Sequence, residues 1–95
     1  MLFINDFKKY DTELSEEICS GSMIIPDHNE LLGFTFNYSR EGTLYRTSKG
    51  SYFFVFKRDN GRSYMKLLTE IDAKKFISKN DYSKWVELFG EMEEG

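Results

Sequence analysis

Ninety-five residues with a formal net charge of −3 make one domain near the lower end for a self-sufficient core, and leave no room for a second. Nine Phe, six Tyr and one Trp supply the burial such a chain needs, and charged residues, at 31%, are too interleaved with apolar ones for intrinsic disorder. The charge is segregated, with nets of −5 over residues 1–39, +5 over 40–66 and −3 over 67–95, so a basic middle is flanked by acidic ends.

In residues 1–30, Leu2, Phe3, Phe7 and Tyr10 fit a helical stripe, or Leu2–Ile4 a short strand. Thr12-Glu13-Leu14-Ser15 offers a hydroxyl cap with early acids, which favour the positive end of a helix dipole. A short helix is therefore predicted from Thr12 to about Cys19, stopped by Ser20-Gly21. Met23-Ile24-Ile25 reads as a strand ended by Pro26, and Asp27-His28-Asn29 as a turn.

Residues 31–68 read as a meander. Phe34, Phe36 and Tyr38 alternate with Thr35 and Asn37, the period of a half-buried strand. A turn at Ser39–Gly42, a strand at Leu44–Thr47 and a turn at Ser48-Lys49-Gly50 follow. Tyr52–Phe56 is the third strand, Asp59-Asn60-Gly61 a hairpin turn, and Tyr64–Leu68 the fourth strand. Connections this short make neighbouring strands antiparallel.

Over residues 69–93 two helices are predicted. Thr69-Glu70-Ile71-Asp72 has capping-box spacing, and the helix it starts presents Ile71, Phe76 and Ile77, with Ala73 allowing close approach. Asn80 or Asp81 caps the second, whose stripe is Tyr82, Trp85, Val86 and Phe89. The fold class is α+β: a four-stranded antiparallel meander with two C-terminal amphipathic helices packed on one face. Strand three is apolar on both sides, so something covers both. The face opposite the helices, assigned Tyr52, Phe54 and Phe56, needs a cover from the N-terminal third, a second copy of the chain or a partner.

The stretch from Gly42 to Glu94 resembles a group of small uncharacterised bacterial proteins carried by plasmids, integrative elements and phages. The resemblance rests on Thr43-Leu44-Tyr45-Arg46-Thr47 with Lys49-Gly50 and Tyr52-Phe53, on Leu68-Thr69-Glu70 with Ala73, and on Asp81-Tyr82 followed by Glu87-Leu88-Phe89-Gly90-Glu91. Similar proteins often carry a longer Gly-rich insertion where this chain has the short Asp59-Asn60-Gly61 turn. The resemblance implies a genetic setting, a mobile element, and no mechanism.

No catalytic constellation, cofactor motif or metal site stands out, so the chain is expected to be a non-enzyme. Cys19, the single cysteine, excludes an intrachain disulfide and a thiolate cage, and reads as a small buried apolar residue. His28 stands alone in its turn, a poor metal site. Met1–Asp6 meets charge too early for a signal peptide, and no apolar run nears the ~20 residues of a membrane span. The expected location is cytoplasmic, with no membrane contact.

Two surfaces are candidates. The first is the basic, aromatic set Arg46, Lys49, Tyr52, Phe54, Phe56, Lys57, Arg58, Arg62 and Lys66, with Arg40 in the same basic stretch. Lys49, Gly50, Phe53 and Phe56 also match part of an RNA-recognition signature, in which sheet aromatics stack on bases, while Ser51, Tyr52 and Phe54 depart from it. The second is the acidic set Glu13, Glu16, Glu17, Glu91, Glu93 and Glu94, suited to steering a basic partner. The leading expectation is a protein-binding module of a mobile element, an inhibitor of a host factor such as a defence nuclease or an immunity protein for a toxin. The alternative is a nucleic-acid-binding domain using the basic meander, and a homodimer is a further expectation.

Overall fold

The computed structural model describes residues 1–95 as six strands followed by two helices. They are β1 (Leu2–Asn5), β2 (Lys8–Asp11), β3 (Glu16–Asn29), β4 (Phe34–Arg46), β5 (Tyr52–Lys57), β6 (Ser63–Leu68), α1 (Glu70–Asn80) and α2 (Tyr82–Phe89). Strands β3 to β6 form one antiparallel sheet in chain order, and β1 and β2 a separate hairpin. The fold is α+β, as the patterning predicts.

The later turns form for the reasons the sequence suggests. Gly61 takes φ 77°, and the Asn60 side chain accepts a hydrogen bond from the Arg62 N–H at 2.9 Å. Thr69 caps α1 by accepting from the Asp72 N–H at 3.1 Å. Asp81 serves both helices: its N–H donates to the Ile77 carbonyl to end α1, and its side chain accepts from the Lys84 N–H to start α2.

The first half departs from the prediction. No helix runs from Thr12 to Cys19, because Glu16 onward enters β3. The Thr12 N–H and hydroxyl instead both bond the Met1 carbonyl, closing the base of the β1–β2 hairpin. Pro26 does not end a strand. It lies inside β3, which is the sheet edge, where a missing N–H costs no ladder bond. Nor do Ser39–Gly42 turn: the two strands predicted around them are one continuous β4, and β3 makes up the four. The connection lies at residues 30–33, where the Asn29 side chain accepts from the Leu32 N–H and Gly33 takes φ 69°.

Gly42 is needed for close approach and not for a turn. A Cβ there would overlap the Val55 carbonyl oxygen and lie 2.6 Å from the Phe54 ring. Gly21, its partner across the ladder, lies under the Asn80 side chain, where a Cβ would overlap the amide oxygen.

The two sheet faces are covered differently. α1 and α2 pack on the face carrying Leu44, Tyr52, Phe54 and Phe56, which join Ala73, Phe76 and Ile77 in one core. Phe54 is fully buried, its ring 5.3 Å from that of Phe76. A bulge between Glu17 and Cys19 turns both Ile18 and Cys19 into the same core. This corrects the assignment of Tyr52, Phe54 and Phe56 to the face away from the helices. That other face centres on Phe53, fully buried between Tyr10 of β2 and Tyr45 of β4, so the N-terminal hairpin is its cover. Ile71 and Tyr82, predicted to face the core, are exposed. Trp85, Leu88 and Phe89 carry the α2 contact.

Candidate docking surface

The β3–β4 ladder runs out to the Asn29–Phe34 pair, but β5 stops opposite Gly42. Beyond Gly21 and Gly42 the two strands pair only with each other and project as a ribbon arm. The arm raises the radius of gyration to 14.6 Å, where a compact chain of this length has roughly 12 Å.

The arm has two unlike faces. One carries Phe34, Phe36 and Tyr38, whose ring centroids are spaced 6.5 and 6.4 Å apart. Spacing by two residues places them in a row, because alternate side chains of a strand share a face. They are 64%, 40% and 42% exposed, and Leu31 and Leu32 at the tip are exposed as well. The opposite face carries no Phe, Tyr or Trp: His28 bonds Thr35 at 3.1 Å and Ser22 bonds Glu41, with the Pro26–Asn37 and Ile24–Ser39 pairs between them. A hollow of about 310 Å³ runs beside the aromatic row, with Asp27, Leu31, Phe36 and Tyr38 among its walls.

The arm is braced against the β5–β6 hairpin by two crossed ion pairs, one at Arg40 near its root and one at Asp27 opposite Phe36. Arg58 reaches back to Asp27 at 2.8 Å and Arg40 reaches out to Asp59 at 2.8 Å. The Arg58 guanidinium also lies 4.8 Å over the Tyr64 ring and Arg40 4.8 Å over Tyr38. Ile25, buried opposite Tyr38 in the ladder, seats the root in the main core. The charges on the aromatic side are thus already paired within the chain.

That pairing takes apart the predicted basic surface. Arg46 is held by Glu16 at 2.6 Å, a contact that raises its pKa. Arg58 and Arg40 are engaged in bracing the arm. Tyr52, Phe54 and Phe56 are core residues beneath the helices, so no ligand reaches them. Phe53 and Phe56, the rings the RNA-recognition signature needs on a surface, are equally enclosed. Lys49, Lys57, Arg62 and Lys66 form no ion pair. No protein-family model, curated protein or solved structure matches the chain.

The acidic set is divided as well. Glu13 lies 3.8 Å from the N-terminal amine and Glu16 is tied to Arg46. Glu17 stands opposite Tyr45, whose phenol pKa is raised by burial first and by Glu17 second. Glu91, Glu93 and Glu94 follow α2 as an exposed tail without regular structure.

The groups with intrinsic reactivity are few. Cys19 is buried, and its thiol is pushed up to about 11 by burial and by Asp81, against a smaller opposing effect of Lys84. It is protonated at neutral pH and a poor nucleophile. No group of three or more His, Cys, Asp or Glu side chains is placed to hold a metal ion, and no helix is long and apolar enough to cross a membrane.

The arm escapes sequence reasoning because its signal is split. The Phe34–Tyr38 alternation marks a half-buried strand, but burial of one side depends on neighbours that stop at Gly42. What distinguishes this strand from the core strand Tyr52–Phe56 is the polar Thr35 and Asn37 between its rings, together with a partner strand that is an edge.

Proposed function

We propose that this chain is a non-catalytic protein-binding module that docks through the aromatic face of the β3–β4 arm. The observation that carries the reading is the row of Phe34, Phe36 and Tyr38, left exposed where β4 runs on beyond the end of β5. Aromatic rings on rigid strands are the residues that anchor protein interfaces, since they bury large area at small entropic cost. The Phe34–Ser39 edge of β4 has no strand neighbour, so its backbone groups are also free to pair with a partner's extended segment. In the mobile-element setting implied by the resemblance, the fitting role is inhibition of a host factor such as a defence nuclease, or immunity against a toxin, acting in the cytoplasm.

Nucleic-acid binding is the second reading, favoured by the unpaired Lys49, Lys57, Arg62 and Lys66 and weakened by the internal pairing of Arg40, Arg46 and Arg58. The discriminating experiment compares wild type with Phe36→Lys in affinity capture from host lysate, beside a mobility shift with short RNA and DNA across salt. A protein retained by wild type and lost by Phe36→Lys is the expected result. A salt-sensitive nucleic-acid shift unchanged by Phe36→Lys would instead establish the second reading. Light scattering on the same samples reports whether a second copy of the chain occupies the face.

A further inference from the structure

A cleft of about 370 Å³ opens between the root of the arm, β6 and α1. Its apolar lining includes Met23, Leu68 and Phe76, and its polar lining includes Ser22, Ser39 and Asn80. Three lysines converge on it from two elements: Lys66 from β6, and Lys75 and Lys79 from α1. None of the three has a carboxylate within ion-pair distance, although Asp72 lines the same cleft. Elsewhere on α1 the chain does neutralise its lysines, since Lys74 pairs with Glu70 at 3.4 Å.

Like charges one helical turn apart repel, and Lys75 and Lys79 stand at that spacing with Lys66 across from them. Lys66, Lys75 and Lys79 outnumber Asp72, the one carboxylate of the lining, so the cleft is net positive beside Met23, Leu68 and Phe76. An anion seated among the lysines removes the repulsion, and the apolar lining favours an anion with an apolar body. The volume falls within the roughly 300–1,000 Å³ of small-molecule sites.

We propose that this cleft is a binding site for an oxyanion carried on an apolar body, a phosphate or carboxylate whose charged group meets Lys66, Lys75 and Lys79 while its hydrocarbon part lies on Met23, Leu68 and Phe76. The inference stands apart from the arm's aromatic face, which uses none of these residues. It does touch the arm mechanically: Ser22, Met23, Ile24 and Ser39 belong to the arm root, so a bound anion ties the arm to α1.

Phenyl phosphate is the probe, with inorganic phosphate and phenol as its two halves and a short Glu-Phe peptide as the protein-borne source of the same chemistry. Titration is followed by amide chemical shifts of the full chain. Saturable shifts at Met23, Phe76 and Lys79 are expected, with phenyl phosphate about tenfold tighter than inorganic phosphate, as a buried apolar group of this size implies. The double variant Lys75→Gln/Lys79→Gln, both at exposed positions, should weaken binding about tenfold or more. Lys49→Gln, outside the cleft, should leave it unchanged. Tighter binding of the peptide assigns the anion to a protein partner, and tighter binding of phenyl phosphate assigns it to a small molecule. As a readout independent of titration, phenyl phosphate should raise the urea midpoint of wild type and not of the double variant. No saturable binding at millimolar probe, or binding that Lys75→Gln/Lys79→Gln leaves intact, overturns the proposal.

Discussion

The turn between β1 and β2 joins Asn5 to Lys8 through Asp6 and Phe7, both with positive φ, at 51° and 61°. This is the geometry of a two-residue hairpin turn that asparagine and glycine adopt readily. Phenylalanine does not: its Cβ meets the following carbonyl, at roughly 1–2 kcal/mol for a residue held there. The Phe7 side chain is fully exposed, so packing returns none of that. Phe7→Gly should therefore relieve the strain, while the greater freedom of glycine in the unfolded chain takes back about 0.5–1 kcal/mol. The expected net is a stabilisation of ~0.5–1 kcal/mol, or about 3–6 °C in Tm for a domain of this size. Urea and thermal unfolding of both proteins, with the denaturant slope compared, measure it. A Tm lowered by the substitution would show that Phe7 packs on the domain, and that the turn is not the strained element described.

Trp85→Ala should cost about 2–3 kcal/mol, below the penalty for a fully enclosed ring, because Trp85 is half-buried against Phe89 at 4.7 Å. An unchanged urea midpoint would place it outside the core. A double-mutant cycle on Arg58→Ala and Asp27→Ala should give a coupling of about 0.5–1.5 kcal/mol for a partly exposed pair, and a coupling of zero would mean that the brace on the arm does not hold. The raised pKa of Cys19 sets a pH window: its contribution to stability is complete below pH 9.0, the ordinary thiol value, and is lost as pH rises from there through about 11. Cys19→Ser should accordingly remove part of the alkaline decline in wild-type stability, and a thiol reagent should label native Cys19 only as fast as the domain opens.

The second half of the chain is legible in the sequence because its signals are local. Asn60-Gly61 states a tight turn, Thr69 and Asp81 state helix starts, and Tyr52–Phe56 is apolar on both faces because helices cover one and the N-terminal hairpin the other. The first half is not legible, for two physical reasons. The bulge at Glu17–Cys19 breaks the period-two pattern that would announce β3, and the turn before it, Thr12–Ser15, carries the hydroxyls and acid that imitate a helix start. Gly42 looks like a turn residue, whereas its missing Cβ makes room for Val55 and Phe54, a requirement visible only once β5 lies beside β4. The candidate site suffered from the same dependence on tertiary partners. Tyr52, Phe54 and Phe56 form an aromatic row at the same period as Phe34, Phe36 and Tyr38, yet the first row is core and the second is surface. Likewise, nothing in the run of bases announces that Arg40, Arg46 and Arg58 each reach a carboxylate from another element.

Amide hydrogen exchange on the chain, alone and with a protein recovered in the affinity capture, tests most directly whether the arm is the docking surface we propose. Protection that rises on binding across residues 31–40, with the β5 core unchanged, is the result this structure leads us to expect. Protection that rises instead around Lys49, Lys57 and Arg62, with the arm still exchanging freely, would contradict it.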